Sequence, residues 1–128
     1  RGWDAYFTNS TGSYVISTDN LPGLFVVPEA CKLGVMHGQI AGDASTENPT
    51  IELWKVTPSD ASAGTPVIMA TQTVTIGSAD SNYTFSQTSS FSNNTLAAGD
   101  ILIPTVMHGN AGAVQSYYGS LTVKFITT

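Results

Sequence analysis

The sequence predicts an all-β fold, an antiparallel β-sandwich of jelly-roll type with about eight to ten short strands and essentially no helix. Three observations support this prediction. Runs of β-branched and aromatic residues recur at spacings of roughly 8 to 14 residues. Turn compositions rich in Gly, Pro, Asn, Asp and Ser separate these runs. Two stretches of the chain also resemble each other.

Each predicted strand is a short apolar or alternating run that a turn composition bounds. Pro28 is expected to end the third of these runs or to put it at a sheet edge, and Pro104 is expected to limit the eighth to a sheet edge or a bulge. In chain order, the runs are Ala5–Thr8, Tyr14–Ile16, Leu24–Val27, Ala30–Ile40, Ile51–Val56, Thr65–Ile76, Tyr83–Phe85, Ile101–Ile103 and Leu121–Ile126.

Alternation within the runs predicts which side chains share a face. In the fifth run, Ile51 and Leu53 point one way, and Glu52 and Trp54 point the other. In the fourth run, one predicted face carries Leu33, Val35 and His37, and the other carries Gly34, Met36 and Gly38.

The two similar stretches are residues 35–57 and 106–127. Val35-Met-His-Gly38 and Ile51-Glu-Leu-Trp-Lys-Val-Thr57 correspond to Val106-Met-His-Gly109 and Leu121-Thr-Val-Lys-Phe-Ile-Thr127. Each copy is interpreted as a hairpin, in which a strand, a Gly-containing loop and a returning strand follow one another. Two such hairpins would supply matching halves of a two-layer core.

Length and composition predict one domain over residues 1–128 with a sizeable core. The net charge of −5 and the scarcity of cations argue against binding to nucleic acid or anionic membranes. No apolar run is long enough for membrane insertion, and no signal peptide opens the chain. Because the chain begins at Arg1, we expect it to be a piece of something longer. Cys31 is the only cysteine and is expected to be a buried apolar residue.

The sequence favours neither an enzyme nor a cofactor-binding protein. Its acidic residues are mostly single residues in loops, and no nucleophile with its base or phosphate-binding loop stands out. Asp43 and Glu47 are four residues apart but fit no calcium loop. His37 and His108 occupy equivalent places in the two copies and are weak metal candidates, since two histidines lack a clear third ligand. We therefore expect no enzyme activity, no cofactor and no metal.

Candidate binding residues come from exposed aromatics and from loop amides. Trp54, Tyr117 and Tyr118 are candidates for stacking on a glycan, and adjacent Tyr117 and Tyr118 must face opposite ways. Loops at the ends of a sandwich often carry binding residues. The candidate loops are Gly42–Pro49, Ala61–Gly64, Ser86–Asn94 and Asn110–Gln115, with Asn93, Asn94 and Asn110 as candidate contacts.

Several short signatures resemble β-sandwich modules of bacteriophage structural proteins, which often form the C-terminal end of tail fibres or lie on virion surfaces. The signatures are Gly2-Trp3, Phe25-Val-Val-Pro28, Ile51-Glu-Leu-Trp-Lys-Val56, Leu96-Ala-Ala-Gly-Asp100 followed by Ile101-Leu102, and Leu121-Thr-Val-Lys-Phe125. The resemblance implies a virion or extracellular location. It also implies a non-enzymatic role as a receptor-binding or surface module of a tail fibre. The partners it implies are further copies in a homotrimer or other virion subunits, with a cell-surface glycan as a further candidate.

Two alternatives remain open. A carbohydrate-binding module of a secreted enzyme would carry an exposed coplanar aromatic pair and behave as a monomer. A capsid decoration, cement or filament subunit would carry a broad interface that does not depend on loops, or a terminal arm that pairs with a neighbour's sheet edge. Self-association would bury exposed apolar strand faces, for which Ile126, Trp54 and Val74 are the candidates.

Overall fold

A computed structural model describes residues 2–10, 25–43, 48–59, 64–107 and 116–127. These ranges contain eight strands and no helix, so no helix among them is long and apolar enough to cross a membrane. The strands are β1 (Gly2–Ser10), β2 (Phe25–Val26), β3 (Cys31–Gly42), β4 (Thr50–Val56), β5 (Val67–Thr73), β6 (Tyr83–Gln87), β7 (Ile101–Met107) and β8 (Ser116–Thr127). The predicted strand at Tyr14–Ile16 lies outside the described residues.

The strands form two antiparallel sheets of four. Sheet A has the order β1-β8-β3-β6, and sheet B has the order β2-β7-β4-β5. The first strand pairs with the last, the second with the seventh, the third with the sixth and the fourth with the fifth, as in one long antiparallel hairpin that folds into two layers. This connectivity is that of a jelly roll, so the predicted β-sandwich is confirmed.

The two similar stretches are not hairpins, and that prediction is wrong. In the first stretch, β3 lies in sheet A and β4 in sheet B. In the second, β7 lies in sheet B and β8 in sheet A. The stretches instead pair with each other, because β3 lies beside β8 and β4 beside β7. Each stretch therefore crosses between the layers.

A bulge in β3 overturns the predicted faces of that strand. The pairing with β8 shifts register between Leu33 and Val35, so Gly34 is an extra residue in the ladder. As a result Leu33 and Met36 are both buried, while His37 is exposed. The prediction that Leu33 and His37 share a face fails because simple alternation takes no account of a bulge.

Pro104 lies within β7, where it pairs with Leu53 of β4. On the other side of β7, the described residues of β2 pair with Ile101 and Leu102. β7 therefore lies between β2 and β4, and its pairing with β4 runs through Pro104 without a register shift, so the expectation of an edge strand or a bulge is wrong. Pro28 follows β2 by two residues, as expected for a residue that ends the strand.

The core lies between the sheets and receives side chains from both. Cys31 belongs to it, as predicted, and the rings of Phe25 and Phe125 stack at 5.2 Å near its margin. Ile51 and Leu53 point into the core, so the predicted faces of β4 are confirmed. The largest fully buried side chains are Tyr117, Leu33, Met36, Ile40, Ile51, Leu53, Met69, Ile76, Leu96, Leu102 and Leu121.

Candidate binding surfaces

The ends of the sandwich carry different loops. Strand direction alternates, so β3, β5 and β7 finish at one end, where β4, β6 and β8 begin. We call this the Tyr118 end. At the opposite end, which we call the Asp100 end, β2, β4 and β6 finish and β3, β5 and β7 begin.

The four candidate loops therefore do not form one surface. Gly42–Pro49 connects strands at the Tyr118 end, whereas Ser86–Asn94 begins a connection at the Asp100 end. Most of Ala61–Gly64 and all of Asn110–Gln115, with Asn110, lie outside the described residues.

Hydrogen bonds hold the described part of the Tyr118 end together. The backbone N–H of Asp80 donates to the Gly42 carbonyl oxygen at 2.8 Å, and that of Val74 donates to the Pro49 carbonyl oxygen at 3.0 Å. The Tyr83 hydroxyl accepts from the Ser78 N–H at 2.8 Å. The loop over residues 74–82 is thus tied to both ends of the connection between β3 and β4.

Tyr118 is an exposed aromatic at this end. It keeps 39% of its surface accessible, and its hydroxyl donates to Asp80 Oδ1 at 2.9 Å. This hydrogen bond raises the pKa of the phenol above its usual value. Partial burial and the negative charges of Asp80 and Asp43 act in the same direction. The ring therefore stays neutral and is held in place by one carboxylate.

Tyr117 faces the other way, as strand alternation predicts. Its side chain is fully buried in the core, where it packs close to Gly42 and Ile76. Tyr117 therefore presents no surface to a ligand in this structure, and of the pair only Tyr118 remains a candidate contact.

Asn93 and Asn94 tie the β6–β7 connection to both sheets. The Asn94 amide accepts from the Leu33 N–H at 2.7 Å and donates to the Leu33 carbonyl oxygen at 3.1 Å, as a neighbouring strand would. Asn93 has a φ of +53°, and its amide donates to the Ile68 carbonyl oxygen at 2.8 Å. Lys55 donates from Nζ to the carbonyl oxygens of Asn93 and Thr95 at 3.0 and 2.9 Å. Both side-chain amides thus attach the connection to the sheets. A ligand contact at Asn93 or Asn94 stays a prediction.

Asp100 is a buried polar residue, and turn composition predicts no further role for it. It keeps 3% of its surface accessible, and its carboxylate accepts from the Thr57 hydroxyl at 2.8 Å and from the Ala97 N–H at 2.9 Å. Its backbone carbonyl oxygen accepts from the Val27 N–H at 2.8 Å. Asp100 therefore joins three connections at its end of the fold. The Leu96–Asp100 signature indicates the turn, but only the structure reveals Thr57 as a partner.

Trp54 lies on the outer face of sheet B, opposite the core residue Leu53. It is half-buried, and its indole N–H donates to Thr105 Oγ1 at 3.2 Å. Tyr118 lies in sheet A, and β8 begins at the other end of the sandwich. The two aromatics therefore do not form a shared platform for a sugar.

The surroundings of Trp54 are unusually apolar for an outward face. Adjacent strands place apolar residues directly opposite one another in two successive rows. We call these rows the apolar stripe; they comprise Val26, Ile101 and Val56 in one row and Ile103, Trp54 and Ile68 in the next.

His37 is exposed on the outer face of sheet A, opposite Thr122 and Ser86. His108 lies outside the described residues, so the predicted approach of the two imidazoles stays a prediction. In the described ranges, no group of three or more His, Cys, Asp or Glu side chains is arranged to hold a metal ion.

No protein-family model and no curated protein matches this sequence. Similarity does appear among solved structures. A chain in the structure of infectious bursal disease virus Gt strain aligns with 99% of this chain at a TM-score of 0.52 and 12% identity. This chain spans 33% of the length of that chain. At this identity the likeness extends to the fold alone, and it supports the jelly-roll assignment.

Proposed function

We propose that this domain is a structural component of a virion that associates with further copies of itself or with other virion subunits. The observation that carries the proposal is the fold, which over nearly the whole length of this chain is similar to that of a chain from a virus structure. The short signatures that resemble phage structural modules support the same role. The proposed location is the virion.

The proposed role is non-enzymatic. The buried carboxylate of Asp100 accepts hydrogen bonds from Thr57 and Ala97, and the exposed carboxylate of Asp80 accepts one from Tyr118. These contacts favour a structural role over a catalytic one for both carboxylates. The domain would act by holding its ends and outer faces in fixed positions.

At finer resolution, we propose a receptor-binding or surface module of a phage tail fibre, with the Tyr118 end as the contact region. Tyr118 is a rigid aromatic that combines an apolar ring with a hydroxyl already oriented by Asp80. Several such ends in a homotrimer would gain avidity from weak single contacts.

The contact role of Tyr118 can be tested on a glycan array with three forms of the protein. Tyr118→Ala should abolish binding because it removes the ring, while Tyr118→Phe should retain most of it because only the hydroxyl is lost. If the Ala variant binds as well as the unmodified protein, Tyr118 is not the contact.

A second candidate, a capsid decoration or filament subunit, is favoured by the apolar stripe. Exposed apolar patches mark interfaces more often than do scattered apolar residues. The carbohydrate-binding module has no comparable support, since Trp54 and Tyr118 lie on different sheets.

Light scattering on the purified domain tests the proposed self-association. A trimer favours the fibre module, and open polymers favour the filament subunit. A monomer at every concentration would contradict self-association and return weight to the carbohydrate-binding alternative.

A further inference from the structure

The outer faces of the two sheets differ in chemistry. An antiparallel sandwich normally alternates apolar residues inward with polar residues outward. Sheet A follows this rule along the middle of β3, where His37 and Gln39 lie opposite Thr122 and Ser120. Sheet B departs from it, because the apolar stripe crosses all four of its strands.

Part of the stripe is accessible to a partner. Val56 and Ile103 are buried by their neighbours within the single chain, at 8% and 6% exposure. Val26 keeps 59% of its surface, and Ile101, Trp54 and Ile68 are half-buried. These four residues form an apolar surface with Val26 at its most open edge.

A carboxylate next to the stripe has no partner among the residues that the structure describes. Glu52 lies two residues before Trp54 on the same face and directly opposite Thr105. It keeps 9% of its surface, and within the described part of the chain no hydrogen bond or ion pair reaches its carboxylate. A carboxylate so far removed from water is costly unless a positive group or a donor compensates it.

The outer face of sheet A offers a matching surface near the Asp100 end. Ile126 keeps 55% of its surface and lies directly opposite Lys32, and Lys124 lies directly opposite Val35. Both lysines are exposed, and across the described ranges neither ammonium group has a hydrogen bond or ion pair. Lys55 differs, since it is bound to carbonyl oxygens. We call Lys32, Val35, Lys124 and Ile126 the lysine patch.

We propose that the apolar stripe is the docking surface for the lysine patch of a second copy of this chain. Ile126 and Val35 would cover the accessible part of the stripe, and a lysine, for which Lys124 is the candidate, would approach Glu52. This inference rests on the proposed function, since it names the partner and the surface of that self-association. The two surfaces are different, so the contact is heterologous and builds rings or filaments rather than a closed two-fold dimer.

The contact can be tested with substitutions at its two most exposed residues. Ile126→Asp and Val26→Asp each place a charge in an apolar contact and should each weaken self-association at least about tenfold, because the contact would bury an unpaired carboxylate. Because each variant keeps one intact surface, an equimolar mixture should form dimers that grow no further. Thr75→Asp adds the same charge at another exposed position and should leave association unchanged.

Charge reversal identifies the paired groups. Lys124→Glu should weaken association, and Glu52→Lys combined with Lys124→Glu should restore it. Glu52→Gln, which keeps the side-chain shape, serves as the check if Glu52→Lys fails to fold, and should also weaken association. Circular dichroism confirms that each variant is folded.

The outcomes separate the two proposals. If the unmodified protein associates but Ile126→Asp has no effect, the docking proposal is wrong and the proposed function stands. If only Val26→Asp disrupts association, the stripe pairs with itself, which also overturns the docking proposal. If the unmodified protein is monomeric at every concentration, both the docking and the self-association are wrong.

Discussion

At the scale of single residues, Asp100 contributes most clearly to the fold through polar contacts. We expect Asp100→Ala to lower the free energy of unfolding by about 1–3 kcal/mol, because the Ala97 N–H and the Thr57 hydroxyl lose their acceptor in a buried site. Urea denaturation measures the loss. Thr57→Val removes only the hydroxyl and should cost less.

A double-mutant cycle separates the Thr57 contact from the rest. If the two substitutions are additive, the hydrogen bond between Thr57 and Asp100 contributes nothing to stability. A double variant that is less destabilised than the sum of the single variants supports the contact seen in the structure.

We expect the stability of the protein to depend on pH through the thiol of Cys31. Burial raises the pKa of its thiol above the ordinary value, and the negative charges of Glu29 and Asp100 raise it further. The folded state therefore holds the proton more tightly than the unfolded state. Its contribution to stability is complete below the unfolded pKa of about 8.5 and is lost as pH rises through the folded pKa.

Thermal melting from neutral to alkaline pH measures this dependence. Cys31→Ala should lose stability less steeply above pH about 8.5 than the unmodified protein, since it has no thiol to ionise. Tyr118 has a raised pKa in both proteins and cancels in the comparison. Identical alkaline profiles for the two proteins would show that the Cys31 thiol does not contribute.

At the scale of elements, the pairing of β3 with β8 depends on glycine at a close approach. A Cβ on Gly119 would overlap the Gln39 carbonyl oxygen, and one on Gly38 would overlap the Ser120 carbonyl oxygen. The Phe85 ring fills the space beside Gly38 from β6. Glycine at these two positions lets the central strands of sheet A approach each other.

Gly119→Ala should therefore destabilise the protein by at least about 2 kcal/mol, because the backbone of Gln39 and Ile40 must move. Gly77→Ala is the matched control, since its Cβ would be 3.4 Å from the Tyr83 hydroxyl oxygen, an ordinary contact. We expect the control to change stability by less than about 0.5 kcal/mol in chemical denaturation. Equal effects of the two substitutions would refute the close approach.

The connection between β6 and β7 is the second element that organises the fold. Asn93 attaches it to sheet B, Asn94 attaches it to sheet A, and Leu96 pairs with Cys31 in both directions at 3.0 Å. Leu96 and Phe91 also pack on the core. This connection therefore closes the Asp100 end of the sandwich, which leaves the Tyr118 end as the better candidate for loop-mediated contacts.

At the scale of the whole molecule, the two outer faces define how copies could assemble. The apolar stripe and the lysine patch lie on opposite faces, so one copy can use both at once. Val74, an expected interface residue, is instead 6% exposed and belongs to the core, so that expectation is wrong. Ile126 is exposed as expected, and Trp54 is half-buried.

The mixed apolar and charged character of the proposed contact sets the salt dependence of this assembly. The apolar part of the proposed contact is insensitive to moderate salt, whereas a lysine–glutamate pair at its margin is screened. If the contact combines an apolar surface with a lysine–glutamate pair, self-association should weaken only modestly as the salt concentration rises.

Local patterns in the sequence determine the strands, the sandwich class and several inward residues. Alternation identifies Ile51 and Leu53 as core residues and separates Tyr117 from Tyr118. Spacing and turn composition predict the all-β class, because these signals depend only on neighbours along the chain. Burial of Cys31 follows from composition in the same way.

Only the tertiary structure decides which strands pair and which outward residues meet. The hairpin interpretation of the two stretches fails because β3 bonds to β6 and β8, and β4 bonds to β5 and β7, rather than β3 and β4 to each other. Local alternation carries no information about which strands pair. For the same reason, the sequence predicts neither the bulge at Gly34 nor the contact between Thr57 and Asp100. The apolar stripe is visible only once Val26, Ile101, Trp54 and Ile68 lie side by side across four strands.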